Sequence, residues 1–223
     1  MSLKDNVMRL RERISAACAA SGRDESEIEI VAATKCVPLE IVNELPECGI
    51  YTAGENRVQE FVQKYSEHSS LTWHIIGALQ TNKVKYVVGK VKLIQSVDRS
   101  SLAEEISRLS ERKGIITDVL AEINICGEEN KSGALPEMAE ELAARINSLG
   151  GVRLKGIMCV PPVGADGKPY ERMHGIFERL KKIFPSINTL SVGMSNDFEL
   201  AIRNGSTMIR PGRILFGERT YLK

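Results

Sequence analysis

The chain has 223 residues, 43% of them hydrophobic and 26% charged, with 30 basic residues against 29 acidic ones and a formal net charge of +1. That is enough apolar material for a sizeable core, and the charge balance gives no electrostatic reason to expect nucleic acid or an anionic membrane as partner. No apolar run approaches the roughly 18–20 residues of a membrane span, the first residues resemble neither a secretory signal nor a transit peptide, and the five cysteines form no C-x-x-C pair and read as reduced thiols, mostly small core residues, in a cytoplasmic protein.

The first predicted element is a helix, because Val7, Leu10, Ile14 and Ala17 recur at helical spacing with Arg9, Arg11, Glu12 and Arg13 between them. Residues 28–34 follow as a β-branched run too short for a buried helix. Further strand-like runs are expected near 51–54, 73–77, 92–97, 118–125, 153–160, 189–193 and 207–210. Helix-like segments alternate with them near 38–45, 57–65, 81–88, 101–113, 136–149, 170–183, 197–204 and 213–221. Pro38 and Pro136 sit where a first helical turn tolerates proline. No linker interrupts the pattern, so one domain over residues 1–223 is expected. Eight strands alternating with eight helices imply parallel pairing and predict an α/β fold, a single (β/α)8 TIM barrel with an extra N-terminal helix. A doubly wound open sheet is the competing topology, since periodicity does not distinguish closure from openness.

In such a barrel chemistry belongs at the C-terminal strand ends. Lys35 directly follows the first strand and would project into the mouth, where a desolvated lysine exposes the neutral amine that a Schiff base needs. The alternative is a lysine that merely snorkels to the surface at a strand end. In the last two units, Ser195 is expected at the N-cap of a helix beginning at Asn196 and Asp197, and Gly212 and Arg213 at the next helix start. Helix N-termini offer unpaired N–H groups to phosphate, although Ser195 could be only a cap and Gly212 only a turn. Arg210 precedes that glycine on the eighth strand. A buried guanidinium needs an acceptor, which is either a ligand or an internal carboxylate such as Glu55 or Asp98.

The remaining features are weaker. His68, His74 and His174 show no metal-ligand spacing, so no metal is expected, and His74 reads as a core histidine. Residues 127–133 form either a lid or a cap, with Lys131 a solvated charge. The cluster Lys83, Lys85, Lys90 and Lys92 reads as solvated surface.

Taken together, Ala33-Thr34-Lys35, residues 54–60 (GENRVQE), residues 73–77 (WHIIG), residues 79–83 (LQTNK), Asn124, Gly127-Glu128, Lys131-Ser132-Gly133, residues 193–197 (GMSND), residues 205–210 (GSTMIR) and Phe216-Gly217 resemble, in that order, the YggS/PROSC family of pyridoxal 5′-phosphate (PLP) homeostasis proteins. The resemblance spans essentially the whole chain. It implies a barrel similar to the N-terminal domain of alanine racemase, with PLP at the strand C-termini. Lys35 would form the internal aldimine, Ser195 would hold the phosphate beside the N–H groups of Gly212 and Arg213, Arg210 would face the pyridine nitrogen, Asn56 would lie near the ring, and His74 would be in the pocket wall at best.

One departure stands out. The family commonly has Ile-Gly-Thr after the arginine, whereas this chain has Pro211-Gly212-Arg213. A backbone phosphate contact survives that change and a threonine hydroxyl contact does not, leaving Arg213 either to replace it with a charge-assisted bond or to point outward. Arginine at the ring nitrogen weakens PLP as an electron sink. Related racemases also use a tyrosine from a second, β-rich domain, for which this chain has no expected room. The implied function is therefore PLP binding in vitamin B6 homeostasis rather than catalysis, with apo-enzymes as recipients. The competing readings are a minimal PLP-dependent racemase and a PLP-independent phosphosugar barrel using Lys35.

Overall fold

The computed structural model describes residues 2–66 and 69–218. Helix α1, Leu3–Ala20, starts at Ser2, whose hydroxyl accepts the Asp5 N–H while the Asp5 carboxylate accepts the Ser2 N–H. This reciprocal capping box satisfies two otherwise orphaned donors. The face carrying Val7, Leu10, Ile14, Ala17 and Cys18 is buried, as the helical spacing requires.

Eight parallel strands then close into a barrel. β1 consists of two short runs, Glu29–Ile30 and Ala32–Ala33, joined by Val31. β2 is Thr52–Glu55, β3 Thr72–Ile75, β4 Leu93–Val97, β5 Thr117–Glu122, β6 Val152–Met158, β7 Thr189–Ser191 and β8 Met208–Ile209. Each pairs in parallel with its sequence neighbour, and the first half of β1 pairs with β8 while its second half pairs with β2. The seam is sealed by Val31 N–H donating to Ile209 O at 2.9 Å and Ala33 N–H donating to Pro211 O at 2.8 Å. This excludes the open-sheet alternative.

The strand period divides the core. Val31, Ala33, Leu93, Leu120, Met158 and Met208 pack together inside the ring. Ala32, Ile94, Val119, Ala121 and Ile157 face outward into a larger apolar layer shared with the helices. Those helices are α2 Leu39–Val42, α3 Val58–Lys64, α4 Ser100–Arg112, α5 Ala139–Asn147, α6 Lys168–Ile183, α7 Phe198–Arg203 and α8 Arg213–Phe216. α1 braces the last two units: Arg13 makes a two-pronged bond to Glu199 of α7 at 2.7 and 2.8 Å, and Asn6 donates to Leu215 O at 2.8 Å.

Several local expectations are corrected. Residues 81–86 form a 3-10 helix rather than an α-helix, and residues 38–45 condense to the single turn of α2 before another 3-10 turn at Pro46–Cys48. Only Cys18 and Cys159 are buried, while Cys36 and Cys126 are exposed. The helix expected over 213–221 runs from Arg213 to Phe216, and residues 219–221 lie outside the described residues, as does His68. Among the described residues no helix is long and apolar enough to cross a membrane.

Candidate functional site

Because all strands are parallel, their C-terminal ends share one mouth. Lys35 follows β1, Asn56 follows β2, Ser195 follows β7, and Arg210, Gly212 and Arg213 follow β8. These four strands are consecutive around the ring. Thr34 N–H donates to Gly54 O at 2.9 Å, Ala33 N–H to Pro211 O at 2.8 Å and Arg210 N–H to Gly193 O at 2.8 Å. The candidate residues therefore line one contiguous arc.

Ser195 is not a helix cap. Asp197 occupies the N-cap position of α7, and its carboxylate accepts the Met194 N–H at 2.6 Å and the Tyr170 hydroxyl at 2.7 Å. Freed from that role, the Ser195 hydroxyl reaches across to the β8 loop and accepts the N–H groups of Gly212 at 3.0 Å and Ile214 at 3.2 Å. A hydroxyl and two amides at the start of α8 thus converge, and first-turn amides there can turn to an anion in place of the hydroxyl. The Ser195 hydroxyl engages the amides of Gly212 and Ile214, and the Arg213 side chain is exposed.

Arg210 is only 3% exposed, yet no carboxylate among the described residues pairs with it: Glu55 pairs with Lys64 and Asp98 with Arg99. Its guanidinium donates to Ser191 Oγ at 2.5 Å and to Cys159 O at 2.8 Å. Ser191 in turn donates to Gln95 Oε1 at 2.7 Å, and Gln95 Nε2 lies 3.0 Å from His74 Nδ1. Burial lowers the pKa of Arg210, against the pull of Cys159 and Glu122. It pushes His74 down to about 3, helped by Lys92, so His74 is neutral. His74 is a core histidine, as its strand position suggested. It lines a cleft with Glu29, Lys92, Asp118 and Thr207 at the opposite, N-terminal ends of the strands, away from the Lys35 mouth.

Glu122, at the C-terminal end of β5, is 7% exposed and its Oε2 has no hydrogen-bond partner. Burial, then the Asp98 carboxylate, push its pKa up to about 7 against the opposing pull of Arg210. Between the ordinary value of 4.5 and about 7 the folded chain holds a proton that the unfolded chain has lost. Stability therefore falls as pH rises through that window. Glu122→Gln should match the parent near pH 4 and exceed it by up to about 3 kcal/mol at pH 8, measured by urea unfolding at the two pH values. His74 contributes in the opposite direction between about 3 and 6.5, but it is common to both proteins and cancels in the difference.

Lys35 is half-buried rather than largely desolvated. Its neighbours are tightly held. Thr34 donates its hydroxyl to the fully buried Glu55 at 2.7 Å, and Lys64 donates to Thr34 O at 2.8 Å and to Glu55 Oε1 at 2.7 Å. Burial raises the pKa of Glu55, opposed by these bonds from Lys64 and Thr34. Asn56 is placed by Gly77: a Cβ there would lie 2.6 Å from Asn56 O, so only glycine allows the two strand ends to approach.

Residues 127–133 form a side-chain-capped loop rather than a free lid. Asn124 donates to Glu128 O at 2.8 Å and accepts the Glu128 N–H at 3.1 Å, and Lys131 forms a partly solvated pair with Glu128 at 2.6 Å. In the lysine cluster Lys85, Lys90 and Lys92 are exposed. Sequence reading missed Ser191, Gln95, Glu122 and Ile214. The first three carried a partial signal, since each is a buried polar residue on a strand.

Residues 3–220 match the family model of the alanine racemase N-terminal domain. The chain is 43% identical over 228 aligned positions to the pyridoxal phosphate homeostasis protein of Aquifex aeolicus, covering 99% of this chain and 100% of that protein. Among solved structures, PipY of Synechococcus elongatus PCC7942 with PLP bound superposes with a TM-score of 0.78 at 29% identity, over 93% of this chain and 99% of that one. An alanine racemase of Clostridium difficile shares the fold, with a TM-score of 0.77 at 16% identity, over 98% of this chain and 60% of that one.

Proposed function

The chain belongs to the alanine racemase N-terminal-domain family and to the proteins named for pyridoxal phosphate homeostasis, and on that premise we propose that it binds pyridoxal 5′-phosphate for intracellular vitamin B6 balance, carrying it covalently on Lys35 without efficient turnover. The observation that carries this reading is the arc itself: a half-buried lysine, a hydroxyl between two amides, and a buried guanidinium with no carboxylate partner among the described residues all occupy one side of the mouth. Those groups fit a phosphorylated aromatic aldehyde.

When bound, the cofactor supplies an aldehyde carbon that condenses with a primary amine with loss of water. Lys35 supplies that amine. Ser195 would hold the phosphate beside the turn of Gly212, Arg213 and Ile214, whose amides lie at the start of α8. Arg210 would face the ring nitrogen and Asn56 would lie near the ring. Because a permanently charged donor disfavours protonation of that nitrogen, the arc stabilises binding more than carbanion chemistry.

Apo-enzymes that require the cofactor are the proposed recipients. The test is α-proton exchange and racemisation of the standard amino acids in deuterated water. No turnover above free cofactor is expected, and robust turnover on any amino acid would overturn the carrier reading. Glu122 favours a second reading, because a buried carboxyl with a pKa near 7 suits a general acid–base. In that case exchange would appear in the parent and vanish in Glu122→Gln.

A further inference from the structure

Lys35 sits in a four-residue turn closed by the Val37 N–H donating to Thr34 O at 3.0 Å. The third residue of that turn is Cys36, with φ 57°, the only non-glycine residue with positive φ among those described. At this position turns with a left-handed third residue normally take glycine. A side chain there is strained, and the strain persists only where neighbouring contacts enforce it. Two residues of α3, four apart, supply those contacts. Glu60 Oε2 accepts the Cys36 N–H at 2.7 Å, and Lys64 donates to Thr34 O at 2.8 Å on the other side of Lys35. Lys64 itself is anchored by the buried Glu55 at 2.7 Å and stands 3.7 Å from Glu60.

We propose that Glu60 is a positioning residue for Lys35: by accepting the Cys36 N–H it holds the left-handed turn that presents the lysine at the barrel mouth. Its role is not that of a surface partner for Lys64, since the ion pair at 3.7 Å is looser than the amide bond at 2.7 Å. The inference rests on the reading of Lys35 as the amine that takes up PLP. It assigns to Glu60 no contact with the cofactor.

The experiment follows the rate at which the PLP-free protein takes up added PLP, read from the shifted visible absorbance, together with hydrogen exchange of the Cys36 amide in the absence of PLP. Glu60→Ala should slow uptake about five- to tenfold, in line with the strain released, and strip the Cys36 amide of its protection. Glu60→Gln keeps an acceptor oxygen and should stay within about twofold of the parent. Glycine takes positive φ without strain, so Glu60→Ala combined with Cys36→Gly should recover most of the lost rate. Glu60→Ala combined with Cys36→Ser removes the thiol but not the strain, and should recover none. An unchanged rate in Glu60→Ala, or equal recovery by the glycine and serine variants, would overturn the inference while leaving Lys35 as the attachment site. A parent protein that takes up no PLP would instead overturn the functional reading, and this inference with it.

Discussion

Lys35→Ala should fold as the parent does and fail to retain PLP. Lys35 is half-buried in the loop after β1, so its loss should change unfolding free energy by no more than about 0.5 kcal/mol. Its amine, by contrast, is the only proposed covalent link. What remains is the Ser195 cradle and the Arg210 donor, which bind by ordinary hydrogen bonds. Affinity for PLP should fall on the order of a hundredfold, equivalent to about 2.7 kcal/mol, and no adduct should survive borohydride. Equilibrium dialysis with urea unfolding in parallel measures both quantities. Full retention by the folded variant would mean that the arc binds PLP without the lysine.

Arg210→Met should separate stability from binding. The guanidinium is a buried cation that donates, among the described residues, to the neutral Ser191 hydroxyl and Cys159 carbonyl. Desolvating an ion costs several kcal/mol, whereas charged hydrogen bonds to neutral acceptors return roughly 1.5–3 kcal/mol each. Glu122 offers little further compensation while its own pKa is pushed up to about 7. A methionine of similar length removes the charge and fills the space. The PLP-free variant should therefore be as stable as the parent or more so, by up to about 2 kcal/mol, and should bind PLP roughly 10–100-fold more weakly. Thermal melts with and without PLP would show the PLP-dependent rise in melting temperature shrinking while the PLP-free value holds. A large loss of PLP-free stability would mean that Arg210 exists to tie β8 to Ser191 and Cys159.

The barrel was readable because its determinants are periodic. Short β-branched runs alternating with amphipathic segments predict parallel pairing, and the structure places eight strands where eight were expected. Closure was not readable, because it depends on Val31 and Ala33 bonding across the seam to residues nearly two hundred positions away. The lysine, serine and arginine stood out as polar residues at strand ends. Their surroundings did not. That Ser195 reaches the amides of Gly212 and Ile214 depends on Asp197 taking over the cap of α7. The chain of Arg210, Ser191, Gln95 and His74 runs through the barrel interior from four different strands, and such cross-strand convergence leaves no spacing signature. The exposed Arg213 and the half-buried Lys35 show the same limit, since burial at a loop is set by what packs over it.

The most direct test of Lys35 as the attachment point is to mix the protein with one equivalent of PLP, reduce with borohydride, digest and locate the phosphopyridoxyl group by mass spectrometry. The account predicts one adduct per chain, on Lys35, in competition with exposed lysines such as Lys85 and Lys90. Label scattered over those surface lysines with Lys35 unmodified would contradict it.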